Sequence, residues 1–374
     1  MKTIHKDNPR WIKYLAIVFI VLGLFLRFHN LDLLPYWGDE AATSVEMHGY
    51  DYQSSEFQNK ILNRIITAKE LNEFLYPDST TNVSDTINLI AKNEPQLSPL
   101  YFILNRFWVS IFGNSIAIIR SFSAVVGVMA IFSIYWFSLE LFDSKMTAWI
   151  AMAIVSVSPF HLLYSQEARV YSLWSLTVIL SSLFFLRAVR QSRPVNWSIY
   201  CFLIILSLYT HLFSLFVYFG HLVFLLIYEK FRITKKLVNM LLVGMVALLG
   251  FSPWLVNFIL NTSKGPSWSF DKIYKIPLYY LLHYYHNLGL FFADFNVGVI
   301  SPKIAQFSYG FLLLGILTIV ILALRFIYLK GENLPRTFLL SVLIMSFMPF
   351  FLKDLFLVEE LLKSLDILYL AGWR

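Results

Sequence analysis

Four short polar clusters in this chain hold residue types that can do chemistry. Tyr36-Trp37-Gly38-Asp39-Glu40 sets two carboxylates side by side. One can act as a general base and the other as a metal ligand. Gln96-Leu97-Ser98-Pro99-Leu100-Tyr101 reads as a helix opening, with Ser98 as the cap and Pro99 in the first turn. Ser165-Gln166-Glu167-Ala168-Arg169-Val170-Tyr171 joins a carboxylate to a guanidinium, whose fixed fork of donors suits a phosphate. Tyr209-Thr210-His211 adds an imidazole, a metal ligand if partner ligands converge on it. Each cluster also has a plainer explanation. Asp39 can cap a helix that Glu40 favours through the dipole. Glu167 and Arg169 can pair merely to close a loop. His211, like His48 and His161, can be an interfacial hydrogen bonder, and His283 and His286 sit among tyrosines in the same way.

The elements that must position these groups are membrane spans. The chain has 374 residues, of which 58% are hydrophobic and 14% charged, and its mean hydropathy is +0.64. Soluble domains carry about 25% charged residues, so much of this surface must face lipid. The expected class is an all-α polytopic membrane protein. The net charge of +7 is then no argument for nucleic acid, because Lys and Arg are needed to orient loops. Cys201 is the only cysteine, which excludes an intrachain disulfide, a thiolate zinc site and a Cys-X-X-Cys motif.

Apolar stretches of near span length run over Tyr14–Phe28, Ile116–Phe142, Met146–Leu163, Tyr171–Leu186, Trp197–Tyr209, Leu212–Tyr228, Leu237–Leu260, Phe307–Ile327 and Thr337–Leu352. Lys2, Lys6, Arg10 and Lys13 precede the first, which reads as an anchor with a cytoplasmic N-terminus. Pro99–Phe112 is ambiguous, being half a span and carrying Asn105 and Arg106. If it does not cross, the basic loops at Arg187/Arg190/Arg193, Lys230/Arg232/Lys235/Lys236 and Arg325/Lys330/Arg336 all fall on the cytoplasmic side. Pro99–Phe112 is then an amphipathic juxtamembrane helix at the outer face. The expectation is about nine transmembrane helices, with all four polar clusters outside. Residues 35–98 form a long outer loop with ten of the 23 acidic residues. A second outer segment, Asn261–Gln306, is rich in Tyr, Phe and His, and Lys353–Arg374 is too charged to span.

The order and spacing of these motifs resemble the membrane glycosyltransferases of the GT-C type. The likeness is to the branch of the protein mannosyltransferases, the lipid A aminoarabinose transferase and the RgtA/B/C/D-like enzymes. It rests on Trp37-Gly38-Asp39-Glu40-Ala41 after span one and on Ser98-Pro99-Leu100-Tyr101 opening the juxtamembrane helix. It continues through Phe112-Gly113-Asn114-Ser115 leading to Arg120, then Ser158-Pro159-Phe160 and Gln166-Glu167-Ala168-Arg169-Val170-Tyr171. Tyr209-Thr210-His211 and Pro253-Trp254 complete it, so that it covers about Trp11 to Leu260.

The resemblance implies a catalytic module over residues 1–260, including outer loop 35–98 and juxtamembrane helix 99–112. Residues 261–374 would be a C-terminal part shorter than that of relatives. It implies transfer of a sugar from a polyprenyl-phosphate donor to a hydroxyl of a lipid, polysaccharide or protein acceptor, at the outer face of a bacterial inner membrane. Asp39 would be the base, with inversion at the anomeric carbon, and Glu40 would orient the acceptor or hold a metal. Arg169, Tyr171 and Gln166 would bind the donor phosphate, while Glu167 and His211 would orient the acceptor or a metal. Trp37, Pro99 and Tyr101 would be structural. A divalent cation (Mg, Mn or Zn) bound through Glu40 and His211 is part of the expectation. A flippase or transporter for lipid-linked sugars, and a non-catalytic carrier-lipid binder of the same fold, are the alternatives. A conduit would place polar residues near span centres, whereas the acids here cluster at one end.

Overall fold

The computed structural model describes residues 10–51, 81–261 and 302–348, with backbone alone over 302–313, and scattered positions between 54 and 70. Most of the second outer segment, with His283 and His286, and the stretch Lys353–Arg374 lie outside the described residues. Thirteen helices and no strands are found among the described residues. In chain order they are α1 (Arg10–Phe28), α2 (Gly38–Met47), α3 (Val83–Asn93), α4 (Leu100–Phe112), α5 (Ile116–Phe142), α6 (Lys145–Val157) and α7 (Pro159–Ser165). They continue as α8 (Tyr171–Gln191), α9 (Pro194–Thr210), α10 (Ser214–Tyr228), α11 (Lys235–Asn261), α12 (Pro302–Lys330) and α13 (Asn333–Met348).

Local chemistry sets the helix ends. Ser115 accepts the Ile118 amide at 3.3 Å to start α5, and Ser144 accepts that of Thr147 at 3.2 Å to start α6. Asp143 (φ 50°) and Ser192 (φ 50°) end α5 and α8 in the left-handed region. Asn82 and Asp85 form a reciprocal capping box on α3. Between α6 and α7, Ser158 is extended ahead of Pro159, and the two helices meet at 59°.

Helices α1, α5, α8 and α11 are each long and apolar enough to cross a membrane, and bent α6–α7 makes a fifth candidate. Shorter apolar helices are α4, α9, α10 and α13. With Phe25, Trp136, Phe202 and Leu249 among many large apolar side chains left exposed, this is an integral membrane protein. The 13 residues of α4 extend about 20 Å at 1.5 Å per residue, short of a bilayer core of about 30 Å.

The chain forms two compact units. The first comprises Met1–Leu215 with Thr234–Pro266, and the second Phe216–Ile233 with Ser267–Arg374. In the first, α5 packs between α6 and α8, α1 lies on α6, and α9 joins α8 to α11. The α1–α6 contact is close because Gly23 has no side chain: a Cβ there would run into the Ser156 carbonyl. One turn on, buried Arg27 donates to the carbonyls of Gly23 (2.8 Å) and Ser156 (2.5 Å). Ser156 lies in the last turn of α6, so Arg27 satisfies one of the carbonyls that the end of that helix leaves without an intrahelical partner. In the second unit, Gly220 lets α10 approach Val342 of α13, and the His221 ring stacks on Phe338.

Candidate functional site

The site is built where the N-terminus of α2, the first turn of α5 and the 166–170 loop meet. Asp39 and Glu40 both lie in the first turn of α2, and their environments are opposite. Glu40 is fully buried. Arg120 of α5 donates to it twice, Nε to Oε1 at 2.8 Å and Nη2 to Oε2 at 2.6 Å. The Ala168 amide adds a third bond to Oε1 at 2.7 Å. Arg120 spends its other donors on the carbonyls of Leu31 (2.7 Å), Leu34 (3.0 Å) and Pro35 (3.0 Å). Its guanidinium also lies over the Tyr36 ring. A carboxylate and a guanidinium are affordable in such a place only when satisfied in this way. Glu40 therefore ties the segment that follows α1, the helix α5 and the 166–170 loop together.

Asp39 points the other way, with 38% of its side chain exposed. Arg169 approaches it loosely, Nη2 to Oδ2 at 3.5 Å, and is anchored through Nη1 to the Asp39 carbonyl (3.1 Å) and Thr43 Oγ1 (2.9 Å). Arg169 Nε has no partner. A part-exposed carboxylate thus stands beside a guanidinium that holds it only loosely. Glu167 is half-buried, its Oε2 lacks a partner, and its pKa is pushed up to about 7 by burial and then by Glu40. At neutral pH it can hold a proton.

The remaining expected residues take supporting positions. Gln166 donates to the Leu26 (2.7 Å) and His29 (3.1 Å) carbonyls, closing the end of α1. Tyr171 opens α8, packs on Tyr164 and lies 6.0 Å from the Arg169 guanidinium. Buried Tyr101 bonds Ser123 at 2.9 Å, and Ser123 reaches the Arg169 carbonyl at 3.4 Å, so α4 braces α5 and the loop. Trp37 precedes α2, half-exposed. His211 stacks on Trp174 (4.3 Å between centroids), and its Nδ1 accepts from the Phe213 amide. Burial and then Arg169 hold its pKa down to about 4, so the ring is neutral at pH 7. His48 is buried behind α2 and held down to about 4 by burial and Arg106. His161 lies on α7.

Two capping expectations fail. Asp39 lies inside α2 and does not cap it; Trp37 holds the N-cap position with no side-chain bond. Ser98 does not cap α4, because its hydroxyl reaches across to the Leu208 carbonyl of α9 at 2.8 Å. Pro99 itself holds the N-cap position of α4. It lines an apolar cavity of about 410 Å³ with Leu100, Ile103, Tyr209 and Trp254.

The donor set does not fit a ready-made cation site. Among the described residues no three His, Cys, Asp or Glu side chains converge as ligands. Both oxygens of Glu40 are already engaged by Arg120.

Residues missed in the sequence are Arg120 as the partner of Glu40, Thr43 as the anchor of Arg169, and Glu46, discussed below. The signal for Arg120 was a lone charge early in an apolar span. For Thr43 and Glu46 it was their spacing from Asp39, four and seven residues along one helix face.

Comparison with known proteins gives one match. Residues 94–256 match the family model described as dolichyl-phosphate-mannose-protein mannosyltransferase. The match takes in Arg120, Arg169 and His211 and begins after Asp39. No curated protein and no solved structure matches. The family match supports a membrane glycosyltransferase of the GT-C type, in agreement with the motif resemblance.

Proposed function

We propose that the chain is a membrane glycosyltransferase that moves a sugar from a polyprenyl-phosphate donor to a hydroxyl of a lipid, polysaccharide or protein acceptor, at the outer face of a bacterial inner membrane. The observation that carries this reading is the opposition of Asp39 and Glu40. One carboxylate is locked away by Arg120, and its neighbour is left open beside Arg169.

The chemistry follows from the two open groups. The acceptor hydroxyl attacks the anomeric carbon as the bond from that carbon to the phosphate oxygen breaks. The phosphate leaves with the electron pair, and Asp39 takes the hydroxyl proton. Attack opposite the leaving group inverts the anomeric centre. The leaving group is already an acidic anion, so it needs charge stabilisation more than protonation. The Nη2 of Arg169, held only loosely by Asp39, is suited to supply it, with the neutral His211 ring and Tyr171 nearby. The apolar cavity beside Pro99 suits a lipid chain. Glu40 acts through position, holding α2 so that Asp39 faces outward.

The test is a transfer assay with purified protein, a panel of labelled polyprenyl-phosphate sugars and the Asp39→Asn variant. Release of free polyprenyl phosphate by the wild type and its loss in Asp39→Asn, at equal expression, is the expected result. Full activity in the variant would remove Asp39 from the role of base.

A further inference from the structure

The mechanism above leaves one buried acid unused. Glu46 lies on α2 seven residues beyond Asp39, about 10 Å along the helix at 1.5 Å per residue. Asp39, Thr43 and Glu46 share a face, and Thr43 is the residue that anchors Arg169. Glu46 is only 2% exposed, and its Oε2 has no hydrogen-bond partner. A carboxylate this buried, with one oxygen unpartnered, is costly to hold as an anion, so the group keeps its proton.

Its charged neighbours come from three elements. Asp39 is on its own helix, Glu94 lies in the turn after α3, and Arg169 is in the 166–170 loop. Arg106 of α4 is the other cation at this end of α2. It is occupied by the carbonyls of Met47 (2.8 Å) and Thr81 (2.5 Å). Burial first, then Glu94, pushes the Glu46 pKa up to about 8, with Arg169 opposing and Asp39 adding to the rise.

We propose that Glu46 is a positioning residue for the donor phosphate, and that it must stay protonated for Arg169 to serve that phosphate. The proposal rests on the transferase reading of the site. While Glu46 is neutral, Asp39 is the loose partner of Arg169, 3.5 Å from Nη2, and an incoming anion can compete for that Nη2. Once ionised, Glu46 places a second carboxylate near the same guanidinium. It competes for Arg169 and adds a negative charge where a phosphate must dock. Glu94, itself bonded by Gln96, tunes the pH at which this happens.

The experiment measures the affinity of the purified, detergent-solubilised full chain for polyprenyl phosphate between pH 7 and 9.5. The second pKa of a phosphate monoester is about 6, so the lipid keeps one charge state across that range. Wild-type Kd is expected to be flat to about pH 8 and then to weaken by up to about tenfold per unit. Glu46→Gln, fixed in the neutral form, is expected to remove the slope. Glu94→Gln, which takes away a like charge, should move its onset to lower pH and serves if Glu46→Gln folds poorly. Glu167→Gln is the control for the other raised carboxyl and should keep the slope. A slope that survives Glu46→Gln, or that Glu167→Gln abolishes in its place, overturns the proposal and leaves the transferase reading intact. Failure of the wild type to bind at any pH overturns both.

Discussion

Replacing Arg120 by Met is expected to destabilise the fold by about 3–5 kcal/mol, the usual cost of breaking a buried ion pair from one side. The magnitude follows from what is left behind. Glu40, fully buried, loses donors at 2.8 and 2.6 Å and keeps only the Ala168 amide. The carbonyls of Leu31, Leu34 and Pro35 lose theirs as well. A stranded buried acceptor costs about 1–3 kcal/mol, but two of these three contacts are only part-buried and water can replace them in part. The stranded carboxylate therefore sets the scale. Arg120→Lys keeps the charge and loses the fork, so it should fall between wild type and Arg120→Met. Glu40→Gln in the Arg120→Met background removes the orphaned charge. The double variant should cost less than the sum of the singles by about 2 kcal/mol. Unfolding by added denaturing detergent, followed through tryptophan fluorescence, measures the wild type, the three single variants (Arg120→Met, Arg120→Lys and Glu40→Gln) and the double variant. An Arg120→Met variant within about 0.5 kcal/mol of wild type, or strictly additive singles, would refute the assignment of this pair as the brace of the site.

Three further outcomes are expected. Glu167 titrates at about 7 in the fold against an ordinary 4.5. The folded state binds that proton more tightly, so its cost is absent below pH 4.5, grows between 4.5 and 7 and is complete above 7. Glu167→Gln should accordingly raise the melting temperature at pH 8 but not at pH 4.5; an equal change at both would refute it. Gly23→Val forces a side chain into the Ser156 carbonyl and should cost about 1–3 kcal/mol by thermal melt. Tyr101→Phe loses the Ser123 bond at 2.9 Å; a loss of about 1 kcal/mol is expected in the same measurement, with the helix content unchanged by circular dichroism.

The helical class and the polar clusters could be read in the chain because they depend on local sequence. Apolar runs of span length have few other uses, and the described helices α1, α5, α8 and α11 fall on them. The Asp39–Arg169 approach was anticipated only as a shared face. What the sequence hid is pairing at a distance. Glu40 and Arg120 are 80 residues apart, and no periodicity connects them. Taken alone, the dipeptide made Glu40 an open acid like Asp39, yet one helical step of about 100° turns it inward. The Ser98 cap failed for a related reason. A hydroxyl that satisfies its own helix in isolation found a carbonyl 110 residues away. Glu46 was passed over because it lies beyond the conspicuous pair, within a helix of otherwise ordinary composition.

The reach of the Glu40 contacts also fixes an order of assembly. The chain emerges from its N-terminus, so Asp39 and Glu40 are synthesised long before their supports. Arg120 follows Glu40 by 80 residues and Ala168 by 128. Until then Glu40 lacks the guanidinium that holds it in the fold. The first loop cannot close over it while only α1 is in place. Insertion of α5 delivers the guanidinium, and the turn after α7 delivers the last amide. The open carboxylate at Asp39 is thus oriented only after Ala168 has been made, and a nascent chain stalled before that point would carry α1 beside an unformed site.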